Sequence, residues 1–322
     1  MRGETVLSLN QQEAARLARQ LDERRGDLAR HLATVRREAA RLAGYEPLAE
    51  KTPAAVFSGR YQRSGYSVEK HLLPVDERYA IPLLAMVPGA RTPSRVVLYL
   101  HPDGKAAAAQ AGGEMEWLVQ QGCAVVAPDL SGTGELGPGF LLEGNDGAHG
   151  PFKQWYGYVA MGKSIVGRQM RDVMRTLQFI EEHFGVARAD VDGVSRGAFA
   201  PLLLHTAAIE GVCDRVALLE PLLSYRSLVA TRRYPVAYLA SAVPSALTAY
   251  DLPDLAACLT SGKLLLSDPC EGSGARADPT LIEQETAVVA RAFSAAGKRA
   301  EFVVVRSSEG KSLHQALATW LE

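Results

Sequence analysis

The 322-residue chain contains no run of about 18 uninterrupted apolar residues, so no helix in it is built to span a bilayer. It has almost no net charge: 35 basic residues stand against 36 acidic ones, a formal balance of -1. A nucleic-acid or anionic-membrane surface needs a basic excess, which is missing. Arginine supplies 27 of the 35 basic residues, yet these are scattered as on a solvated surface. Cysteine is scarce. Cys123, Cys213, Cys258 and Cys270 lie far apart with no C-x-x-C pair, so zinc-ligand spacing is absent and no disulfide framework is needed. They read as buried apolar fillers. The N-terminal stretch is charged and has no apolar h-region, so no secretory signal is expected within it. As part of a longer protein it would be secreted or periplasmic; otherwise it would be cytoplasmic. At 47% hydrophobic and 22% charged, the composition is that of a globular protein, neither disordered nor collagen-like. The length allows two domains, or one large α/β domain.

Apolar residues Leu17, Leu21, Leu28, Leu32, Val35, Ala39 and Leu42 recur at helical spacing and predict one long helix over Gln11–Ala43, stopped by Gly44. Such a stripe packs on the main domain, or serves a dimer or an interdomain contact. The preceding Gly3–Asn10 reads as a strand or linker. Tyr66–Leu72 and Pro82–Val87 alternate like two half-buried strands with a turn at Asp76-Glu77. Continuous apolar runs follow at Arg95–Leu100, Cys123–Ala127, Arg215–Leu219, Lys263–Leu266 and Glu301–Val305. Helical stretches separate them: Ala106–Gln121, Val166–Phe184, Ala198–Glu210 and Pro279–Ala296. Buried runs alternating with helices predict an α/β class, an open, doubly wound, mostly parallel sheet with helices on both faces. The expected division is 1–52, strand or linker plus long helix, and 53–322, the α/β domain.

The sharpest motif is Gly193-Val194-Ser195-Arg196-Gly197, a G-x-S-x-G before a helix. Small residues flank a serine that must sit on a tight strand-to-helix turn, where the next backbone N–H, that of Arg196, becomes an oxyanion donor. The preceding Ala187–Asp192 alternates small and charged residues, unlike a central parallel strand. That strand is therefore short, off-centre, or the motif is a loop. An α/β-hydrolase orders its triad as serine, acid, histidine. Of seven histidines only His314 follows the late strands, in the place of a general base. The acid is open between Glu271, farther into the loop, and Asp268, nearer the strand end. The second oxyanion donor is expected from the loop His101–Lys105, at Asp103 and Gly104, the alternative being an ordinary polar turn. Asp129–Glu135 reads as a rim turn, since its glycine pair completes neither G-x-G-x-x-G nor a Walker pattern. Phe140, His149, Phe152, Trp155, Tyr156, Tyr158 and Met161 either line a substrate pocket, with Trp155 and Tyr156 touching substrate, or pack beneath a loop. Tyr225–Tyr250 is a second candidate cap.

The runs Val97–Lys105, Ala127–Gly134, Gly193–Gly197 and Tyr250–Leu255 resemble bacterial α/β-hydrolases of the acetylxylan-esterase-like group, over about Val56 to Glu322. The resemblance implies Ser195 as nucleophile, Glu271 at the acid position, His314 as base, and Arg196 with Asp103–Gly104 as oxyanion hole. Proteins of this group also occur as tandem domains, and Gly3–Asn10 is similar to the joint between two halves; some second halves lose the serine, whereas Ser195 is retained. The expected activity is hydrolysis of short acyl esters by a Ser-His-acid triad, on acetylated polysaccharide such as xylan. No metal or organic cofactor is called for, and no nucleic-acid or membrane partner. A peptidase of the same fold and a non-catalytic scaffold or carbohydrate-binding half are the rival expectations.

Overall fold

The continuous apolar runs become strands because only a position covered on both faces can hold Val, Leu and Ala without alternation. A computed structural model describes residues 4–49, 51–77, 79–89, 93–137, 150–310 and 312–322. Its strands are β1 (Val56–Arg63), β2 (Tyr66–Pro74), β3 (Ala80–Pro88), β4 (Arg95–Leu100), β5 (Cys123–Pro128), β6 (Asp192–Arg196), β7 (Arg215–Leu219), β8 (Lys263–Ser267) and β9 (Phe302–Val305). They form one sheet in the order β1-β2-β3-β5-β4-β6-β7-β8-β9. The β1, β2, β3 and β5 neighbours pair antiparallel; from β5 to β9 every pair is parallel. The doubly wound, mostly parallel sheet expected from the sequence is present.

The helices are α1 (Val6–Arg24), α2 (Leu28–Ala43), α3 (Glu114–Gln120), α4 (Gly150–Ala160), α5 (Ile165–Phe184), α6 (Ala200–Glu210), α7 (Tyr225–Ala230), α8 (Ala237–Ser241), α9 (Leu252–Ala257), α10 (Pro279–Ala295) and α11 (Leu313–Leu321). They divide the core into two layers. One face of the sheet packs on α5, α6, α9 and α10, with Phe179, Leu203, Leu255 and Phe293 buried there. The other packs on α3 and α11, through Leu118, Leu317 and Trp320.

The single long helix expected over Gln11–Ala43 is two helices, and the expected strand or linker at Gly3–Asn10 is helical from Val6. Thr5 caps α1, its hydroxyl accepting from the Ser8 N–H at 3.1 Å while the Ser8 hydroxyl accepts from the Thr5 N–H. The break falls at Gly26-Asp27, where glycine is a poor helix former and the Asp27 carboxylate accepts from the Arg30 N–H to start α2. The apolar stripe lies against the same chain. Val35, Ala39 and Ala43 are fully buried, and α2 packs on α5, α6 and α9. Arg25 reaches the buried Asp254 of α9 through two bonds of 2.8 and 2.9 Å. At the other end the Ala43 carbonyl accepts from the Ser164 N–H and hydroxyl. A side chain at Gly167 would meet that carbonyl at 2.2 Å, so this crossing of α2 and α5 requires glycine.

Candidate active site

Ala187–Asp192 is not the strand that leads into the serine motif. Arg188–Asp190 form a 3-10 turn, and the strand is the motif itself, Asp192–Arg196. The strand is central, between β4 and β7, and tolerates Asp192 because Arg95 pairs with the buried carboxylate. Ser195 is therefore a strand residue. It is fully buried, and its hydroxyl has no hydrogen-bond partner. The sharp turn into α6 falls two residues later, at Gly197, whose φ is +53°. Among the described residues only Cys213, Glu220, Ser245 and Asp268 adopt positive φ without being glycine, so Ser195 has none of the backbone twist of a nucleophile at such a turn.

Register fixes the direction of the Ser195 side chain. It pairs with Leu100 of β4 and Leu218 of β7, both in the layer packed on α5 and α6. Val194, one residue earlier, pairs with Tyr99 and Ala217 of the opposite layer. His314 opens α11, on that opposite face. Its ring is exposed and lies flat on Trp117 of α3, centroids 4.8 Å apart and planes within 2°. The structure does not bring Ser195 and His314 together: period-two alternation along β6 points the hydroxyl away from the helix that carries the imidazole. Among the described residues no carboxylate is paired with His314.

The two candidate acids part company. Asp268 directly follows β8 with φ +50°, and its carboxylate accepts from the Ser307 N–H at 2.8 Å and hydroxyl at 3.1 Å, just past β9. Glu271 sits in a turn, accepting from the Ser273 hydroxyl at 2.5 Å. The ends of β6, β8 and β9, where a serine, acid and histidine would converge, are thus occupied by Gly197, Asp268 and Ser307. Sequence reasoning missed Gly197 and Ser307. The available signal was strand length: a strand begun after the Arg188–Asp190 turn has to run through Ser195 before it can bend.

The expected oxyanion donors are committed elsewhere. The Gly104 N–H donates to the His101 carbonyl at 3.0 Å, and the Asp103 N–H to His101 Nδ1 at 3.1 Å. Arg196 contributes a side chain to the rim instead. It donates to Glu114 and to Glu220, and the Tyr99 hydroxyl also donates to Glu114. Burial opposes the Arg196 charge, but Glu114 and Glu220 outweigh it and hold the guanidinium more firmly protonated than usual. Burial and the Glu114 charge push the Tyr99 hydroxyl upward, and burial lowers His101 despite nearby Asp103. The loop Asp129–Glu135 is a rim turn that fastens His101–Lys105: buried Lys105 pairs with Asp129 and Glu135, and the Lys105 N–H donates to Asp129 at 2.7 Å.

Trp155 and Tyr156 lie on α4 with rings edge to face at 5.2 Å; the Trp155 indole N–H is buried without a partner, whereas Tyr156 is exposed. Phe140 and His149 lie outside the described residues. The Tyr225–Tyr250 segment covers the turn: α8 packs on α4 and on the 3-10 turn Gly197–Phe199, and the Ser241 hydroxyl donates to the Ala198 carbonyl. All four cysteines are buried and free, as expected.

No family model and no curated protein matches the sequence. Solved structures do. An acetyl xylan esterase candidate from Bacteroides fragilis superposes with TM-score 0.67 at 15% identity, covering 86% of this chain and 74% of its own. A methylesterase gives 0.59 at 15%, over 90% of this chain and 62% of the other. A glucuronoyl esterase from Solibacter usitatus gives 0.57 at 13%, over 89% and 90%. The mostly parallel nine-stranded sheet with helices on both faces, and these superpositions, give the chain an α/β-hydrolase fold.

Proposed function

We propose that this chain is a non-hydrolytic α/β-hydrolase module that binds an acylated polysaccharide without cleaving it through Ser195. The observation that carries this reading is the placement of the turn: Gly197 occupies the bend between β6 and α6, and Ser195 is buried within the strand. Attack on an ester carbonyl needs a hydroxyl exposed at the bend and hydrogen-bonded to a base. Asp268 joined to Ser307, and Arg196 held by Glu114 and Glu220, supply a rigid polar rim in place of an acid, a base and an oxyanion hole. The ligand class comes from the solved esterases of the same fold, and exposed Tyr156 on α4 offers a ring for stacking on a sugar.

A second reading keeps the hydrolase. Ser195 attacks, His314 takes its proton, and Glu271 or Asp268 orients the imidazole, on short acyl esters such as acetylated xylan. The G-x-S-x-G motif at Gly193–Gly197 and the esterases of the same fold favour it. A fluorophosphonate probe and p-nitrophenyl acetate separate the two. The module reading expects no labelling of Ser195, no turnover that Ser195→Ala removes, and retention on acetylated xylan that Tyr156→Ala weakens. Labelling of Ser195 in the folded protein would establish the hydrolase.

A further inference from the structure

We propose that Glu69, His71 and His183 form a binding site for a divalent transition-metal ion of the zinc class, on the opposite half of the sheet from the turn at Gly197. Glu69 and His71 are two residues apart on β2 and so project from one face of the strand, toward α5, whose last turn carries His183. His71 Nε2 lies 3.2 Å and His183 Nε2 3.3 Å from one and the same oxygen, Glu69 Oε2. All three ligand atoms lie within 4.8 Å of one another. Two ligands each about 2.0–2.1 Å from a tetrahedral zinc are about 3.3 Å apart, so two edges of the coordination polyhedron are already at length.

His183 Nε2 is close to Glu69 Oε2 without hydrogen-bonding it, whereas His71 Nε2 hydrogen-bonds that oxygen, a bond that ligation of both groups by a shared ion would replace. The rings are held in place. Phe179 packs on His71 at 4.8 Å and stacks on His183 at 4.9 Å, and Phe57 closes on His71 at 5.4 Å. Glu69 and His71 are buried, while the His183 side chain is 34% exposed, which leaves an open side for entry and for a fourth ligand such as water. Two imidazoles and one carboxylate suit zinc, nickel or cobalt rather than calcium or magnesium. Arg60 holds the other carboxylate oxygen, Oε1, at 2.5 Å and leaves Oε2 to the imidazoles.

The test is titration of the whole chain with zinc chloride by calorimetry, and with cobalt chloride by visible absorption. One ion per chain is expected, with a cobalt spectrum of tetrahedral type. His183→Ala, at a partly exposed helix end, and Glu69→Gln, which keeps the shape, should each weaken binding at least about tenfold while thermal melts in the absence of metal stay near the parent's. No zinc binding by the parent, or stoichiometric binding that survives both substitutions, would overturn the proposal. Neither result depends on whether Ser195 reacts.

Discussion

The two faces of the sheet are built differently. On one, α5, α6, α9 and α10 cover the strands, and α2 lies over α5, α6 and α9, so the side chains beneath are two layers from solvent. On the other, α3 and α11 make one shorter layer, with Trp117 and His314 at its edge. Ser195 points into the thick side and His314 stands on the thin side. A residue's prospects for chemistry therefore depend less on its motif than on which face of the strand it occupies, because the two faces offer access to solvent in very unequal measure.

The thick side should be the more easily broken. Asp254 accepts two bonds from Arg25 and has His31 at 3.1 Å, all three being buried. Asp254→Ala leaves the buried Arg25 with only the exposed Asp22 as a carboxylate partner and is expected to cost about 3 kcal/mol in urea unfolding. Asp268→Ala, at the rim, removes two accepted bonds and places alanine at φ +50°, for about 2 kcal/mol; Asp268→Asn keeps an acceptor, tolerates that φ, and should cost less than about 1 kcal/mol. A rim that costs as much as Asp254 would erase the contrast.

Acid pH separates two neighbours on the thick side. Burial works against the Asp254 charge, but His31 and Arg25 outweigh it and hold its carboxyl below the ordinary value. Its contribution is therefore present above about pH 4 and is lost as pH falls further. Asp251 runs the other way: burial, reinforced by Glu285, pushes its carboxyl up to about 6. The folded state then holds that proton more tightly, so stability falls as pH rises from about 4 to 6 and is level above. Unfolding free energies across this range should lose the decline in Asp251→Asn and lose the acid instability in Asp254→Asn.

The smallest effects sharpen the comparison most. Ser195→Ala removes a buried hydroxyl with no partner and should be neutral or stabilising by up to about 1 kcal/mol, where a working nucleophile would show loss of turnover instead. His314→Ala gives up one exposed stack on Trp117, worth about 0.5–1 kcal/mol in a thermal melt, and should leave ester turnover unchanged.

Much of this architecture is legible in the chain. The runs RVVLYL and CAVVAP cannot be anything but doubly covered strands, and Leu17 to Leu42 cannot avoid an apolar helical stripe. Gly26-Asp27 was a readable stop-and-start signal that the length of the stripe concealed. At the candidate site the reading was poorer, for a specific reason. The pattern G-x-S-x-G constrains size and spacing but not where the strand ends, and Asp192 looks too polar for a central strand until Arg95 is seen beside it.

Local sequence by itself therefore determined the class of each segment, since burial on one face, on both or on neither is written in the spacing of apolar residues. Tertiary structure alone decided which residue took the bend after β6, and which side of the sheet each functional group faced. Those depend on register against β4 and β7, and a shift of one residue exchanges the two faces of a strand.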